Sequence, residues 1–257
     1  MTTISGVINT YNNDDVLERC LQSLKDCDEI VVCDMHSTDK TIELAEKYGC
    51  KVVYHENVGH CDPARNFAIG SASSDYVLIL DADEYASENL VKNLKKYIDS
   101  MENPPEGIRI FYRNAILGKV LNSYSKRGIL RCFKRGFVHY EPIIHSAPQV
   151  QGREEYLDDG KNSNITHDMV TDITEHQAKW NQYTAYEVKE KFKAQNKKFK
   201  LSALVFRPIG EFIKLYFLKK GFTDGIHGYI FAILGAHYKF MCLAKLWEKE
   251  IKEGKRK

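Results

Sequence analysis

A chain of 257 residues that is 43% apolar and 28% charged has the side chains for a sizeable core, which excludes a disordered polymer. Its 37 Lys and Arg nearly balance 35 Asp and Glu, and the formal charge of +2 excludes the broad basic field of a general nucleic-acid binder. The length suits one large domain, or one domain with a helical appendage.

No run reaches 18 uninterrupted apolar residues, so no bilayer-spanning segment is expected. The chain enters a strand almost at once, with no charged-then-apolar leader, so no secretion signal is expected. Seven cysteines form no Cys-x-x-Cys pair, and Cys33 and Cys132 sit in strand-like runs. Reduced, buried thiols in a cytoplasmic protein fit that usage.

In chain order, residues 4–9 read as a strand, and Asp14 or Asp15 is placed to cap a helix over 16–25. Residues 29–34 form a second strand. Ser37 or Thr38 is placed to cap a helix reaching about Tyr48, where Gly49 ends it. Residues 51–55 are a third strand, and Asp62-Pro63 starts another helix, with Asp as cap and Pro at the first helical position. The apolar run 76–80 is a fourth, buried strand, followed by a helix over 87–99 that stops before Pro104-Pro105. Strand and helix alternating at this pitch predict a parallel sheet covered on both faces.

Ligands of such sheets bind beyond the carboxyl ends of the strands. Thr10-Tyr11-Asn12, Asp34, His55-Glu56-Asn57 and Asp81-Ala82-Asp83-Glu84 all fall there, so four separate segments bring polar side chains to one rim. The last of them crowds three carboxylates at the edge of a buried strand, where a cation would relieve their repulsion. The alternative is an acidic first turn for the following helix.

Beyond residue 107 the strand signal is irregular, over 108–112, 129–133 and 138–145, and an acceptor pocket and a catalytic base are expected there. A polar helix over 172–196 and two apolar helices over 201–220 and 222–250 complete the chain. Both apolar helices are flanked by Lys and Arg, which fits either packing on the rest of the protein or docking on an anionic membrane surface.

The motifs together resemble family 2 inverting glycosyltransferases with the GT-A fold. They are Thr10-Tyr11-Asn12, the helix from Leu17 to Leu24, Asp34 with Ser37-Thr38-Asp39, Ala64-Arg65-Asn66-Phe67-Ala68, and Asp81-Ala82-Asp83-Glu84. The later part, with Arg131-Cys132-Phe133-Lys134-Arg135, is similar to the branch that adds sugars to the lipopolysaccharide inner core. The resemblance implies an α/β GT-A domain over 1–170, with a Rossmann-like nucleotide-sugar half (1–100), an acceptor half (101–170) and a C-terminal amphipathic helical region (171–257). It implies a UDP-sugar donor, a saccharide or lipid-linked saccharide acceptor, no nucleic acid, and Mg²⁺ or Mn²⁺ as cofactor. The place implied is the cytoplasm, peripheral on the inner face of the membrane.

By the same resemblance Thr10, Tyr11 and Asn12 lie beside the nucleoside, and Asp34 accepts from the uracil ring. Arg65 lies near the diphosphate, Asp81 faces the ribose or a bridging water, and Asp83 ligates the metal. The branch carries a Val/Ile-His-Glu element whose Glu is the base. Here Ile144-His145 is followed by Ser146, so Glu141, His145 or His139 has to supply that function. Two other classes compete with a transferase: a nucleotide-sugar-binding or membrane-associated partner that has lost the base, and a sugar nucleotidyltransferase, which would open on a Gly-rich phosphate loop that residues 4–13 lack.

Overall fold

Apolar runs without alternation become strands buried on both faces, as in β2 (Glu29–Asp34) and β4 (Tyr76–Asp81); β1 (Ile4–Thr10) is buried throughout although it carries Ser5, Asn9 and Thr10, and β3 (Lys51–Tyr54) is a partly exposed edge strand. The computed structural model describes residues 1–57, 62–141, 147–159, 162–192, 195 and 197–255. Strands β3, β2, β1 and β4 lie side by side and parallel. The two-residue period of a strand splits their side chains between two cores. Ile4, Ile8, Val32, Leu78 and Leu80 face α1 (Leu17–Ser23), α2 (Thr41–Lys47) and a later helix on one side. Val7, Val31, Val77 and Ile79 face α3 (Asp62–Gly70) through Ala64, Ala68 and Ile69 on the other.

After β4 the sheet changes character. A short strand, β5 (Glu84–Ala86), precedes α4 (Leu90–Asp99). Two long strands follow, β6 (Gly107–Ile116) and β7 (Lys119–Lys134), joined by Leu117-Gly118. Both residues of that loop have positive φ, 48° and 76°, the two-residue turn whose twist matches a hairpin. Strand β7 pairs antiparallel with β4. Strands β8 (Val138–His139) and β9 (Gln149–Val150) form a separate ribbon. Strand β10 (Glu154–Tyr156) pairs with β6, and β11 (Asn164–Val170) pairs antiparallel with β5, giving the order β3-β2-β1-β4-β7-β6-β11-β5.

The expected α/β architecture, a parallel nucleotide-type half followed by further strands and C-terminal helices, is present. Element boundaries differ in ways that have causes. Helix α1 starts at Leu17 with no side-chain cap; the Asn13 carbonyl accepts from Val16 and Leu17 instead of Asp14 or Asp15 capping them. Ser37 and Thr38 do not cap α2 either, because both are bonded to the loops of the rim, and Asp39 Oδ1 accepts from Thr41 N–H at the helix start. Helix α4 begins three residues later than expected.

The chain divides into two compact units. The first comprises Met1–Arg113 and Lys126–His167, and the second Asn114–Ser125 and Asp168–Lys257. In the second, α5 (Ile173–Tyr186) is capped by Asp172, whose side chain accepts from Glu175 N–H, and runs on into a π-turn. Helix α6 (Leu201–Ile213) is likewise extended by a π-turn over Lys214–Leu218. Helix α7 (Gly225–Lys252) packs against it, with Leu215, Phe231, Ala232 and Leu234 in a common core. Glycine is required where the chain doubles back: a Cβ on Gly228 would lie 1.9 Å from the Gly221 carbonyl oxygen. The six described cysteines are free thiols.

Asp224, 6% exposed, ties the hairpin tip to α7 by accepting from Asn122 N–H at 2.9 Å, Ser123 N–H at 3.0 Å and the Ser123 hydroxyl. Replacing Asp224 with Ala strands two backbone donors, at an expected cost of about 2–4 kcal/mol to the second unit. Hydrogen exchange at the Asn122 and Ser123 amides reads this directly; unchanged protection would mean that the carboxylate is dispensable.

Candidate active site

Parallel strands in register bring their last residues level with one another. Thr10 is paired with Asp34 across β1 and β2, and Asn9 with Asp81 across β1 and β4. The sequence-predicted rim residues are therefore neighbours. Thr10, 1% exposed, donates through Oγ1 to Asn13 Oδ1 at 3.1 Å, and the N–H of the exposed Tyr11 reaches the same oxygen at 3.2 Å. Asn12 turns the loop with φ 50°, a conformation Asn tolerates. Its N–H donates to Ser37 Oγ at 2.8 Å and its Oδ1 accepts from Thr38 N–H at 2.8 Å, which links the loops after β1 and β2. Asp34 is fully buried and accepts from Ser37 through the backbone N–H at 2.9 Å and the hydroxyl. The carboxylate thus shapes the loop after β2. Of the third segment, Glu56 and Asn57 are described, and His55 N–H donates to the Asp34 carbonyl at 3.0 Å.

The fourth segment is a charge network. Arg65, 8% exposed on α3, donates to Asp81 Oδ1 at 2.8 Å. Arg131 on β7 donates to Asp81 Oδ2 at 3.0 Å and, through the same nitrogen, to Glu84 Oε1 at 2.5 Å. Glu84, 2% exposed, also accepts from the Tyr112 hydroxyl on β6 and, through Oε2, from the backbone N–H of Asp81 at 3.0 Å. Burial would raise the Asp81 carboxyl, but Arg65 and then Arg131 outweigh it and hold it well below the usual carboxylate range. Burial, with the neighbouring Asp81 charge, pushes the Glu84 carboxyl up against the pull of Arg131. Two carboxylates and two guanidinium groups therefore balance one another.

Asp83 stands apart from that quartet. Its Oδ2 lies 3.4 Å from His167 Nε2, and both side chains remain about one quarter exposed, at 27% and 28%. Burial would lower the imidazole pKa, but the Asp83 hydrogen bond and the nearby carboxylates raise it. A carboxylate and an imidazole side by side at a strand end are a donor pair that suits a divalent cation. Among the described residues no group of three or more His, Cys, Asp or Glu could hold a metal, so substrate oxygens and water would have to complete such a shell.

Tyr140 closes the other side. Its ring lies 5.6 Å from the Arg65 guanidinium, and its backbone is clamped by Asn66, which donates to the Tyr140 carbonyl at 2.7 Å and accepts from its N–H at 2.9 Å. Glu141, the next residue, is exposed. His145 lies outside the described residues, so its position relative to the rim is not part of the geometry.

Sequence reasoning counted Glu84 only among three crowded carboxylates that a cation would relieve, and assigned no role to Tyr112, Arg131, Tyr140 or His167. Arg131 lay inside a motif that had been singled out, but its partners are 47 and 50 residues away in sequence. His167 gave no signal, because a lone His in the run Asn164–Val170 reads as an ordinary strand residue. Asn9 was also passed over. It is 5% exposed, and apart from an approach to the Cys33 thiol its side-chain nitrogen and oxygen have no hydrogen-bond partner among the described residues. Its signal was a polar side chain in an otherwise apolar strand.

Comparison with known proteins agrees with this geometry. Residues 5–135 match the Glycosyl transferase family 2 profile. Over 95% of this chain and 86% of the relative, the sequence is 30% identical to a Rickettsia bellii protein named an uncharacterized glycosyltransferase. It is 25% identical, over 96% of this chain and 92% of the relative, to the lipopolysaccharide core biosynthesis glycosyltransferase LpsC of Rhizobium meliloti. The crystal structure of TarS 1–349 from Staphylococcus aureus in complex with UDP-GlcNAc superposes with a TM-score of 0.52, covering 98% of this chain and 92% of that one at 17% identity, a likeness of fold. With a family match over half of the chain and relatives that run nearly its full length, the chain belongs to glycosyl transferase family 2 and is a glycosyltransferase built on the GT-A fold.

Proposed function

We propose that this glycosyltransferase moves a sugar from a UDP-sugar to a saccharide or lipid-linked saccharide acceptor, with inversion at the transferred carbon and with Mg²⁺ or Mn²⁺ as cofactor. The observation that carries this reading is the placing of the acids after β4: Asp81 and Glu84 bond the protein's own arginines, and Asp83, still partly exposed, lies 3.4 Å from the ionisable imidazole of His167. The donor class is supported by TarS, whose structures of this fold hold UDP and UDP-GlcNAc. The acceptor class is supported by the near full-length likeness to LpsC, a lipopolysaccharide core enzyme by name.

The loops carrying Thr10, Tyr11, Asn12 and Asp34 bind and orient the nucleoside. Asp83 and His167 would hold the divalent ion, which when bound supplies charge neutralisation for the departing diphosphate. Arg65 and Arg131 are held by Asp81, so the cationic edge of the site is fixed before the donor arrives and need not reorganise as charge develops. Glu141, on the exposed segment after Tyr140, takes the proton of the acceptor hydroxyl in this reading.

Asp83→Ala and His167→Ala are each expected to lower the metal-dependent part of UDP affinity at least about tenfold, a loss typical of a removed ligand or ligand partner. Calorimetry with UDP, with and without Mn²⁺, measures this; equal affinities in the wild type and both variants would remove the metal from this site. Glu141→Gln is expected to bind UDP like the wild type while transfer falls by a factor of about 10² or more. Wild-type turnover in that variant would move the base to another residue, and wild-type binding with no turnover in the unaltered chain would favour a binding protein over an enzyme.

A further inference from the structure

The second unit carries a surface that sugar transfer does not use. On α6 the outward stripe Val205, Phe206, Ile209 and Ile213 is apolar and exposed, from 44% at Ile213 to 68% at Phe206. Spacings of three and four residues put these side chains on one helix face. Ile226 and Tyr229 on α7 are exposed in the same way. Single apolar side chains on a surface need no explanation, but contiguous exposed runs on two helices mark a place where water is meant to be excluded.

Beside this ridge lies a cleft of about 420 Å³, lined by Phe206 of the ridge itself together with Lys197, Arg207, Lys214 and Lys239. A second cleft shares Lys197 and Arg207, adds Lys198 and Lys200, and is lined by no carboxylate. Six cations thus meet two acids, Glu187 and Glu211. Glu211 is already engaged by Lys214 at 3.1 Å, and Glu187 accepts from the Tyr238 hydroxyl at 2.9 Å. Burial, then Arg207 and Lys239, hold the Lys197 ammonium below its ordinary pKa. Glu187 offsets part of this crowding at Lys197, and the excess of cations that is left is what an incoming anion would relieve.

We propose that this face seats on the surface of an anionic lipid bilayer, with the α6 ridge entering the acyl boundary while Lys197, Arg207 and Lys239 take lipid phosphates. One occupant satisfies both halves of the surface. A free phosphate would fill the cleft and leave the ridge in water. A second copy of the chain would cover the ridge but bring two clusters of six cations toward each other. Segment Gly221–Lys252 contains an 18-residue stretch long and apolar enough to cross a membrane, with a mean hydropathy of 1.2. However, its Phe231, Leu234, Cys242 and Leu246 are already packed inside the unit, and docking on the surface leaves those contacts intact.

Flotation of the full chain with vesicles tests this, using phosphatidylglycerol mixed with phosphatidylcholine against phosphatidylcholine alone. Wild type is expected to bind the anionic vesicles, to be released by high salt, and to ignore the neutral ones. The charge variant Lys197→Gln/Arg207→Gln/Lys239→Gln should weaken binding about a hundredfold, since each cation at an anionic surface is worth about fivefold. The ridge variant Phe206→Ser/Ile209→Ser/Ile213→Ser should also lose binding. Arg207, Phe206, Ile209 and Ile213 are exposed and Lys197 and Lys239 are partly so, and near-UV circular dichroism matching the wild type verifies the fold of both variants. Several results overturn the proposal: equal binding to neutral vesicles, no binding at all, unchanged binding in either folded variant, resistance to salt and alkaline carbonate, or a dimer in light scattering that the ridge variant dissolves. Thermal stabilisation by inorganic phosphate equal to that by anionic vesicles would likewise overturn it.

Discussion

A buried carboxylate and a part-buried one beside two guanidinium groups constrain the rest of the catalytic unit. Removing Glu84 from water costs several kcal/mol, and only close, well-directed partners offset that cost. Those partners come from far along the chain: Arg65 from α3, Arg131 from β7, and the Tyr112 hydroxyl from β6. The network can form only when the parallel half of the sheet and the antiparallel strands are both in place. Losing one member would leave an unpaired buried charge, so the network enforces register between β4 and β7 more stringently than apolar packing does. Residues Tyr76↔Lys134 and Leu78↔Cys132 are paired in that register, and a slip by one residue would turn Arg131 to the other face of the sheet.

The same constraint separates two roles within one acidic motif. Three acids within four residues repel one another, and the fold sets Arg65 and Arg131 against Asp81 and Glu84. Asp83, on the turn between β4 and β5, faces His167 on β11, and both stay partly exposed. An imidazole is the partner that can give up its proton when a stronger cation arrives, whereas an arginine cannot.

What the sequence disclosed follows from how local each signal is. Strands β2 and β4 were legible because a strand buried on both faces reads as an apolar run, a property of the strand alone, and β1 was legible from Ile4, Val7 and Ile8 although Ser5 and Asn9 interrupt it. Asp34 and Asp81 were legible as strand ends for the same reason. Strand β7 was half visible, since Lys119–Lys134 mixes Asn, Ser and Lys with its apolar residues and only its last part reads as buried. Strand β5 has three residues and no period to detect, and β11 was missed with it because the two are paired. The helix starts were misread where a capping residue had a better partner: Ser37 bonds Asp34, and Thr38 bonds Asn12. His167 was invisible because its meaning lies wholly in a side chain 84 residues earlier.

The helices of the second unit expose a limit of periodicity itself. An amphipathic helix announces its buried face by having one apolar stripe, but α7 has two. Phe231, Leu234, Cys242, Leu243 and Leu246 are buried, while Ile226, Tyr229, Ile233, Phe240 and Trp247 on the opposite side are exposed. From the sequence alone, packing on the protein and contact with a membrane were equally good explanations of the same residues, because each accounts for one stripe. The coordinates assign the inner stripe to the unit's own core, so that core no longer explains the outer one. A stripe of large apolar side chains left in water gains nothing for folding and favours aggregation, and that exposed stripe, with the adjoining cations, is what the proposed docking on an anionic surface would account for.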